Sequence, residues 1–178
     1  MENEDTVDAI IERMLREKDN IDSKPTAVAI SNMIKALGCI GSPQAAGPII
    51  SVLEKVRVKE DEYSESIRNE GLDALGKIGG EEAIASIISY FTYPERQRDV
   101  QDRALAAIKR IGSPATGALV ASLTSGDLYM QKNALRALGE MGAKEAIVHI
   151  TPLLKKSEDV QVAGFAAFAI ALIAERTS

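Results

Sequence analysis

Side chains that could carry out catalysis or bind a metal are scarce in this sequence. Its 178 residues include a single His, His149, and a single Cys, Cys39. A structural zinc site needs several His or Cys ligands and a disulfide needs two Cys, so the sequence excludes both. The acidic pairs at residues 81–82 and 158–159 lie at predicted helix starts, where the helix dipole favours negative charge. We therefore expect no catalytic residue, no metal site and no cofactor.

The composition is typical of a globular protein. Apolar residues make up 46% of the chain and charged residues 26%, and the net charge is −5. Nucleic-acid binding needs clustered Lys and Arg, which an acidic chain does not favour. The longest uncharged apolar run, 162–174, is shorter than the roughly 20 residues that span a bilayer, and the acidic start is unlike a secretory signal. We expect a cytoplasmic protein whose partners are neither nucleic acids nor membranes.

A six-residue motif recurs along the chain and indicates its architecture. Ala-Leu-Gly-Cys-Ile-Gly at 36–41 returns in related form at 74–79, 107–112 and 137–142, with a degenerate copy at 169–174. A period of about 30 residues is typical of a repeat of two short helices. A lone pair of such helices cannot bury its apolar face, so stacking of neighbouring pairs is expected to form the core. The sequence therefore predicts an all-α fold.

Each repeat divides into two predicted helices. The first carries apolar and small residues at helical spacing and ends at the motif, where Gly38, Gly76 and Gly139 are expected to adopt the left-handed conformation of a helix C-terminus. The second begins near Gly-Ser-Pro at 41–43 and 112–114, where Ser is expected to cap the helix. Ten helices are predicted near residues 5–18, 25–38, 43–58, 64–77, 81–92, 97–110, 114–124, 127–140, 143–156 and 158–175.

The repeat pattern resembles the HEAT-like repeat named for phycobilisome lyases, which reads V-R-x-x-A-A-x-A-L-G-x-I-G-x-P-E-A. Residues 64–156 match it well, while 25–60 and 158–175 match it in part. The resemblance implies a right-handed α-solenoid of about five two-helix HEAT-like repeats in one domain, 1–178. Residues 1–24 would form an N-terminal capping helix and loop, 25–156 the repeats, and 157–178 a C-terminal helix.

Two departures from the pattern leave alternatives open. The Arg of the V-R pair occurs only as Arg68, and Gln101 and Gln131 replace it in the next two repeats. The links 54–66 and 92–99 are longer than the repeat needs and are rich in charge. They are interpreted as longer helices and solvated loops or, alternatively, as a lip that contacts a partner.

The resemblance implies a non-catalytic scaffold that binds an unidentified protein or peptide. In the family the second helices line the concave face, so the small residues opposite the core stripe are candidates for the contact surface. The alternative is a subunit similar to the bilin lyases or the phycobilisome-degradation factors, which would act on a phycobiliprotein. The candidate partner-binding residues are Ser51, Ser86, Ser89, Tyr93, Ser122, His149 and Lys156.

The lone His and Cys are placed by the register of the repeat. His149 aligns with the outward side of a second helix, where it is either a neutral exposed side chain or a hydrogen-bonding contact on the binding face. Cys39 takes the polar position after the Gly of its motif, which predicts partial exposure. We interpret Cys39 as a surface thiol rather than a nucleophile, because a reactive thiol needs a lowered pKa.

The two ends of the chain differ in their surface. The first helix has one apolar stripe and a polar opposite face, as a terminal repeat requires. The last helix is apolar around its whole circumference, and such a helix is expected to be buried on all sides. We therefore hypothesise a two-fold homodimer through the C-terminal helix, with a monomer as the alternative. The candidate self-association residues are Phe165, Phe168 and Leu172.

Overall fold

Helices joined by short turns make up nearly all of the chain. The structure is a computed structural model that describes residues 2–93 and 98–176. Within these ranges the chain forms ten α-helices and no strand, which confirms the predicted all-α helical-repeat fold. Residues 94–97, in the long link predicted after the fifth helix, lie outside the described residues, as does the predicted helix start at 97.

The chain divides into two compact units, Met1–Ser86 and Ile87–Ser178, and the predicted single domain stays a prediction. The boundary between the units falls within the fifth helix. The helices of the first unit are α1 (Glu2–Glu17), α2 (Lys24–Ile40), α3 (Ala46–Val56), α4 (Glu62–Ile78) and the start of α5 (Glu81–Ser89). Those of the second unit are α6 (Arg98–Ile111), α7 (Thr116–Ser122), α8 (Leu128–Met141), α9 (Ile147–Lys156) and α10 (Val160–Glu175).

Within each unit, the first helices of neighbouring repeats pack against one another. In the first unit α2 packs on α4, and in the second unit α8 packs on both α6 and α10. The second helices α3, α7 and α9 each pack against the first helix of the following repeat: α3 against α4, α7 against α8 and α9 against α10. All three begin with a 3-10 turn, at Pro43–Ala45, Ser113–Ala115 and Lys144–Ala146. The α-helical part therefore begins later than the sequence predicted.

The small residues of the motif allow the first helices to approach closely. A Cβ added to Gly38 on α2 would lie 2.6 Å from the Cβ of Ala74 on α4. A Cβ added to Gly139 on α8 would lie 2.9 Å from the Cα of Ala169 on α10. Neither distance is possible for a real side chain, so only glycine fits at these contacts.

The predicted role of these glycines at helix ends is wrong. Gly38, Gly76 and Gly139 lie buried inside α2, α4 and α8, which continue beyond them to the second Gly of each motif. Those second glycines have positive φ, for example 73° at Gly41 and 68° at Gly142. The first Gly of the motif therefore serves helix packing, and the second ends the helix.

Helix starts are capped by side chains other than those predicted. Ser42 makes no capping hydrogen bond, because a 3-10 turn follows it. The side chains that accept hydrogen bonds from helix N–H groups include Asp61, Asp127 and Asp159, which precede α4, α8 and α10. A carboxylate at this position also interacts favourably with the helix dipole.

The core follows the predicted stripe, and the first helix has the predicted polarity. Val7 and Met14 of α1 are buried, while Asp8 and Arg13 on its other side are exposed. Ile40, the last residue of α2, is exposed. The large side chains buried in the first unit include Ile34, Leu37, Ile49, Leu53 and Leu75, and those in the second include Tyr90, Phe91, Ile108, Leu135 and Ile150.

Candidate functional site

Two of the four serines predicted to bind a partner direct their hydroxyls toward their own helices. Ser51 on α3 donates a hydrogen bond to the carbonyl oxygen of Pro48, at 2.9 Å. Ser122 on α7 donates to the carbonyl oxygen of Ala118, also at 2.9 Å. These two hydroxyls are half-buried and already satisfied. The remaining serines of the prediction, Ser86 and Ser89 on α5, are half-buried as well.

Tyr93 does not lie at the rim of a binding face, and the expected exposure is wrong. Its ring is only 8% exposed and stacks on Tyr90, with ring centroids 5.1 Å apart. The 3-10 turn Tyr90–Thr92 turns both rings into the interior of the second unit. Gln101 of α6 donates a hydrogen bond to the carbonyl oxygen of Tyr93, which ties this segment to the next helix. Tyr93 therefore contributes to the core.

The other predicted surface residues are exposed. His149 and Lys156 lie on α9, beside Val148, which is 69% exposed. With Ala121 and Ser122 of α7 they form what we call the second-helix face of the second unit. Cys39 on α2 is exposed, as predicted. The structure leaves the binding role of these residues a prediction.

The two glutamines that replace the pattern's Arg are structural. Gln131 on α8 donates to the carbonyl oxygens of Leu123 and Ser125, at 3.1 and 2.7 Å. In the first unit Arg68 donates to the carbonyl oxygens of Val56 and Lys59, at 2.5 and 2.6 Å. In each case the side chain satisfies backbone groups at the end of the preceding second helix. Gln supplies two N–H donors and so substitutes for Arg at this position.

A cleft that sequence reasoning missed lies on the outer side of the first helices of the second unit. It has a volume of about 590 Å³ and is formed by side chains of α6, α8 and α10. We call it the first-helix cleft. Its lining combines cationic, amide and aromatic side chains: Arg98, Gln101, Tyr129, Lys132, Asn133, Arg136, Gln161, Phe165 and Phe168.

Lys132 is the most deeply placed cation of the cleft. It is only 9% exposed, and its Nζ donates to Oε1 of Gln161 at 3.1 Å. The same Nζ lies 5.2 Å from the ring centroid of Tyr129 and 5.6 Å from that of Phe165. An ammonium group within about 6 Å of aromatic faces is stabilised by the ring quadrupoles. The positive charge of Lys132 is therefore tolerated in a largely dry position.

Arg136 is held by two carboxylates. Its Nη1 donates to Oδ1 of Asp102 at 2.6 Å, and its Nε donates to Oε1 of Glu140 at 2.9 Å. Burial opposes the charged form of Arg136, but these bonds outweigh burial and raise its pKa. Glu140 also accepts from Lys109 at 2.7 Å. Burial opposes ionisation of Glu140 too, yet its bonds to Lys109 and Arg136 lower its pKa.

The mouth of the cleft is apolar on one side and cationic on the other. Phe168 of α10 is 56% exposed, and it borders a shallow hollow together with Gln161, Gly164 and Phe165. Arg98 opens α6, and its side chain is 72% exposed, with Nε 3.8 Å from Oδ2 of Asp102. A ligand entering the cleft would contact both groups first.

A signal for this cleft is present in the sequence. Tyr129, Lys132, Asn133 and Arg136 follow one another at helical spacing, and so share a face of α8. That spacing places an aromatic ring beside two cations. The contribution of α10 could not be read in the same way, because its apolar residues surround the whole helix.

The described ranges hold neither a metal-binding cluster nor a membrane-spanning helix. Residues 2–93 and 98–176 contain no group of three or more His, Cys, Asp or Glu that could hold a metal ion. No described helix is both long and apolar enough to cross a membrane.

Comparison with known families identifies the repeat. The family model for HEAT repeats matches residues 93–171, which is less than half of the chain. The match supports a HEAT-like repeat protein, and HEAT repeats generally mediate protein–protein interaction. No curated protein matches the chain.

Proposed function

We propose that this protein is a non-catalytic protein-interaction module that binds its partner in the first-helix cleft. The observation that carries the proposal is the chemistry of the lining. The whole chain has only 3 Phe and 4 Tyr, and the cleft brings together Tyr129, Phe165 and Phe168 with Arg98 and Arg136. Aromatic residues and Arg are the types enriched in protein interfaces and in their energetically dominant positions.

The proposal places the partner on a different surface from the one that the sequence favoured. Ser51 and Ser122 have satisfied hydroxyls, and Tyr93 is buried. What remains exposed on the second-helix face is Ala121 on α7 and Val148, His149 and Lys156 on α9, none of which is a Tyr, Phe or Arg. A concave site lined by rings and charges offers a partner more buried area and more directional contacts than such a surface does.

The experiment is a comparison of matched baits. The wild type and four variants would be immobilised, and the proteins captured from the native lysate would be identified by mass spectrometry. Phe168→Gln and Arg98→Glu alter exposed positions of the cleft. Val148→Gln and Lys156→Glu make the same kinds of change on α9. Circular dichroism would show that each variant keeps its helical content.

We expect the two cleft variants to lose a set of proteins that the two α9 variants retain. The reverse pattern would move the site to the second-helix face. If no captured protein distinguishes any variant from the wild type, the proposed function is wrong.

A second copy of the chain is the competing occupant. Phe165 and Phe168, which the sequence predicts to mediate self-association, line the same cleft, and Leu172 on α10 is half-buried. Light scattering over a range of concentrations would test it. A mass that rises above 19.1 kDa in the wild type, but not in Phe168→Gln, would identify the partner as another copy.

Two finer assignments belong to the same proposal. These are the relationship to the phycobilisome-lyase subtype of the repeat and the cytoplasm as the compartment. The subtype predicts that a bilin-bearing protein binds the chain, so the test is mixing with a purified phycobiliprotein. No complex by size-exclusion chromatography would remove that assignment and leave protein binding untouched.

A further inference from the structure

We infer that the first-helix cleft recognises an acidic peptide segment that carries an apolar side chain next to its carboxylates. This inference rests on the proposed function, because it names the chemistry of the partner for the same site. Three observations support it: the sign of the charge in the cleft, the state of the carboxylate that pairs with its arginines, and the apolar hollow beside the cations.

The charge of the cleft is opposite to that of the chain. The protein has 26 acidic residues against 21 Lys and Arg. Nevertheless Arg98, Lys132 and Arg136 line the cleft, and none of its described lining residues is acidic. Asp102 and Glu140 balance the charge of Arg136, so the positive charge offered to a ligand is that of Arg98 and Lys132. Lys132 lies where water is largely excluded, and Coulomb attraction to an anion is stronger there than in bulk water. The cleft therefore favours a negatively charged group.

Among the described residues, the carboxylate that pairs with both arginines of the cleft, Asp102, is already held by the protein. Asp102 is bound by Arg136 at 2.6 Å, and it lies farther from Arg98, at 3.8 Å. Arg136 therefore holds Asp102 more closely than Arg98 does, and the side chain of Arg98 stays 72% exposed. A ligand carboxylate can approach Arg98 without displacing the close ion pair between Arg136 and Asp102.

The hollow beside the cations indicates that the ligand also carries an apolar side chain. Gln161, Phe165 and Phe168 line both the cleft and the hollow, so the two are continuous along α10. The hollow measures about 360 Å³, which is room for at least one large apolar side chain. Covering Phe168 removes apolar area from water, which is the favourable term that a purely charged ligand would lack. A peptide with a carboxylate and an apolar side chain close together would bind both the cationic cleft and the apolar hollow.

The experiment is a selection from a random 12-residue peptide library displayed on phage, with the immobilised protein as bait. The most enriched sequences would be synthesised with a terminal Trp. The chain contains no Trp, so fluorescence anisotropy of the peptide reports binding directly. Each peptide would also be made with Gln and Asn in place of Glu and Asp.

We expect enriched peptides to carry a net negative charge and at least one aromatic or Leu residue. Arg98→Glu and Phe168→Gln should each weaken binding at least tenfold, and replacing the peptide's acidic residues should do the same. Lys156→Glu should change affinity less than twofold. Raising the salt concentration should weaken binding to the wild type more than to Arg98→Glu.

The outcomes separate this inference from the proposed function. Neutral or basic peptides whose binding is lost in Phe168→Gln would overturn the acidic specificity and leave the cleft as the binding site. Acidic peptides whose affinity is the same for the wild type and both cleft variants would overturn both the inference and the cleft as the binding site. Failure to enrich any acidic peptide over the starting library would also overturn the inference.

Discussion

Two surfaces of the second unit are built from the same repeats and yet differ in what they offer a ligand. The first-helix cleft, on α6, α8 and α10, collects long cationic and aromatic side chains around about 590 Å³ of space. The second-helix face, on α7 and α9, exposes Ala121, Val148, His149 and Lys156 and none of the Tyr, Phe or Arg side chains that the cleft collects. The register of the repeat explains which residues are buried. It does not show which of the two exposed surfaces is better suited to bind a ligand.

The lengths of the helices account for part of the difference. α8 has 14 residues and α10 has 16, whereas α7 has only 7 because a 3-10 turn takes its first positions. A longer helix has more turns and therefore more outward positions on one face. On α8 these positions include Tyr129, Lys132 and Arg136. A short second helix has room for few such positions.

The largest expected effect concerns the close contact that holds the first helices together. Gly139→Ala would place a Cβ 2.9 Å from a backbone atom of α10, so α8 and α10 must separate. We expect the free energy of unfolding to fall by about 2 to 3 kcal/mol, although Ala normally stabilises a helix. Urea unfolding followed by circular dichroism would measure it.

Gly164→Ala is the matched control, because no heavy atom lies within 4 Å of the added Cβ. Here we expect a gain of about 0.5 to 1 kcal/mol. If both variants were stabilised alike, the close approach of α8 and α10 would not be what requires glycine at 139.

The next effect concerns the hydrogen bonds that Gln131 of α8 makes to the backbone at the end of α7. Gln131→Met removes the donors that serve the carbonyl oxygens of Leu123 and Ser125 after α7. We expect a loss of about 1.5 kcal/mol, since partly buried acceptors lose their partner. Gln131→Arg should recover most of the stability, as Arg68 serves the same role in the first unit. Equal losses in the two variants would contradict a role in hydrogen bonding.

The comparison of the two surfaces is tested most directly by charge reversal. Arg98→Glu should weaken partner binding about tenfold, which is about 1.4 kcal/mol, while Lys156→Glu should leave it nearly unchanged. Isothermal titration calorimetry with a captured partner would measure both. A larger effect at Lys156 would reverse the ranking of the surfaces and restore the second-helix face.

The smallest expected effect concerns acid stability. Because bonds to Lys109 and Arg136 outweigh burial and lower the pKa of Glu140 in the folded state, Glu140 stabilises the fold above its ordinary pKa of 4.5. This contribution is lost as the pH falls through the lowered value. Glu140→Gln should therefore reduce stability at pH 7 by under about 1 kcal/mol and have little effect near pH 3. Melting temperatures measured from pH 7 to pH 3 would test this, and a constant difference between the proteins would contradict it.

Much of the architecture could be predicted from residue spacing. Ten helices, the polar outer side of α1 and the burial of residues such as Ile34 and Leu135 follow from the 3.6-residue period alone. The two glycines of each motif were harder to separate. Both suit a helix end by type, and only the neighbouring helix shows that Gly139 is required for contact with Ala169.

The candidate site depended on contacts between residues far apart in the chain. Tyr93 is polar-tipped and lies beside a charged link, which made it a plausible surface residue, yet the turn at 90–92 buries it. Lys132 is an ordinary helix residue in sequence. It becomes a cation on the floor of a cleft only because Phe165 and Gln161, some thirty positions later, lie against it on α10.

The helices, their pairing into repeats and the stripe that forms the core follow from residue spacing, since they depend on local periodicity and on burial of apolar area. Which outward side chains meet follows from the packing of helices that are distant in the chain. Side chains of α8 and α10 line the same cleft, and the two backbones approach closely at Gly139. The distance between two packed helices is a property of the pair and is not encoded in the periodicity of either one.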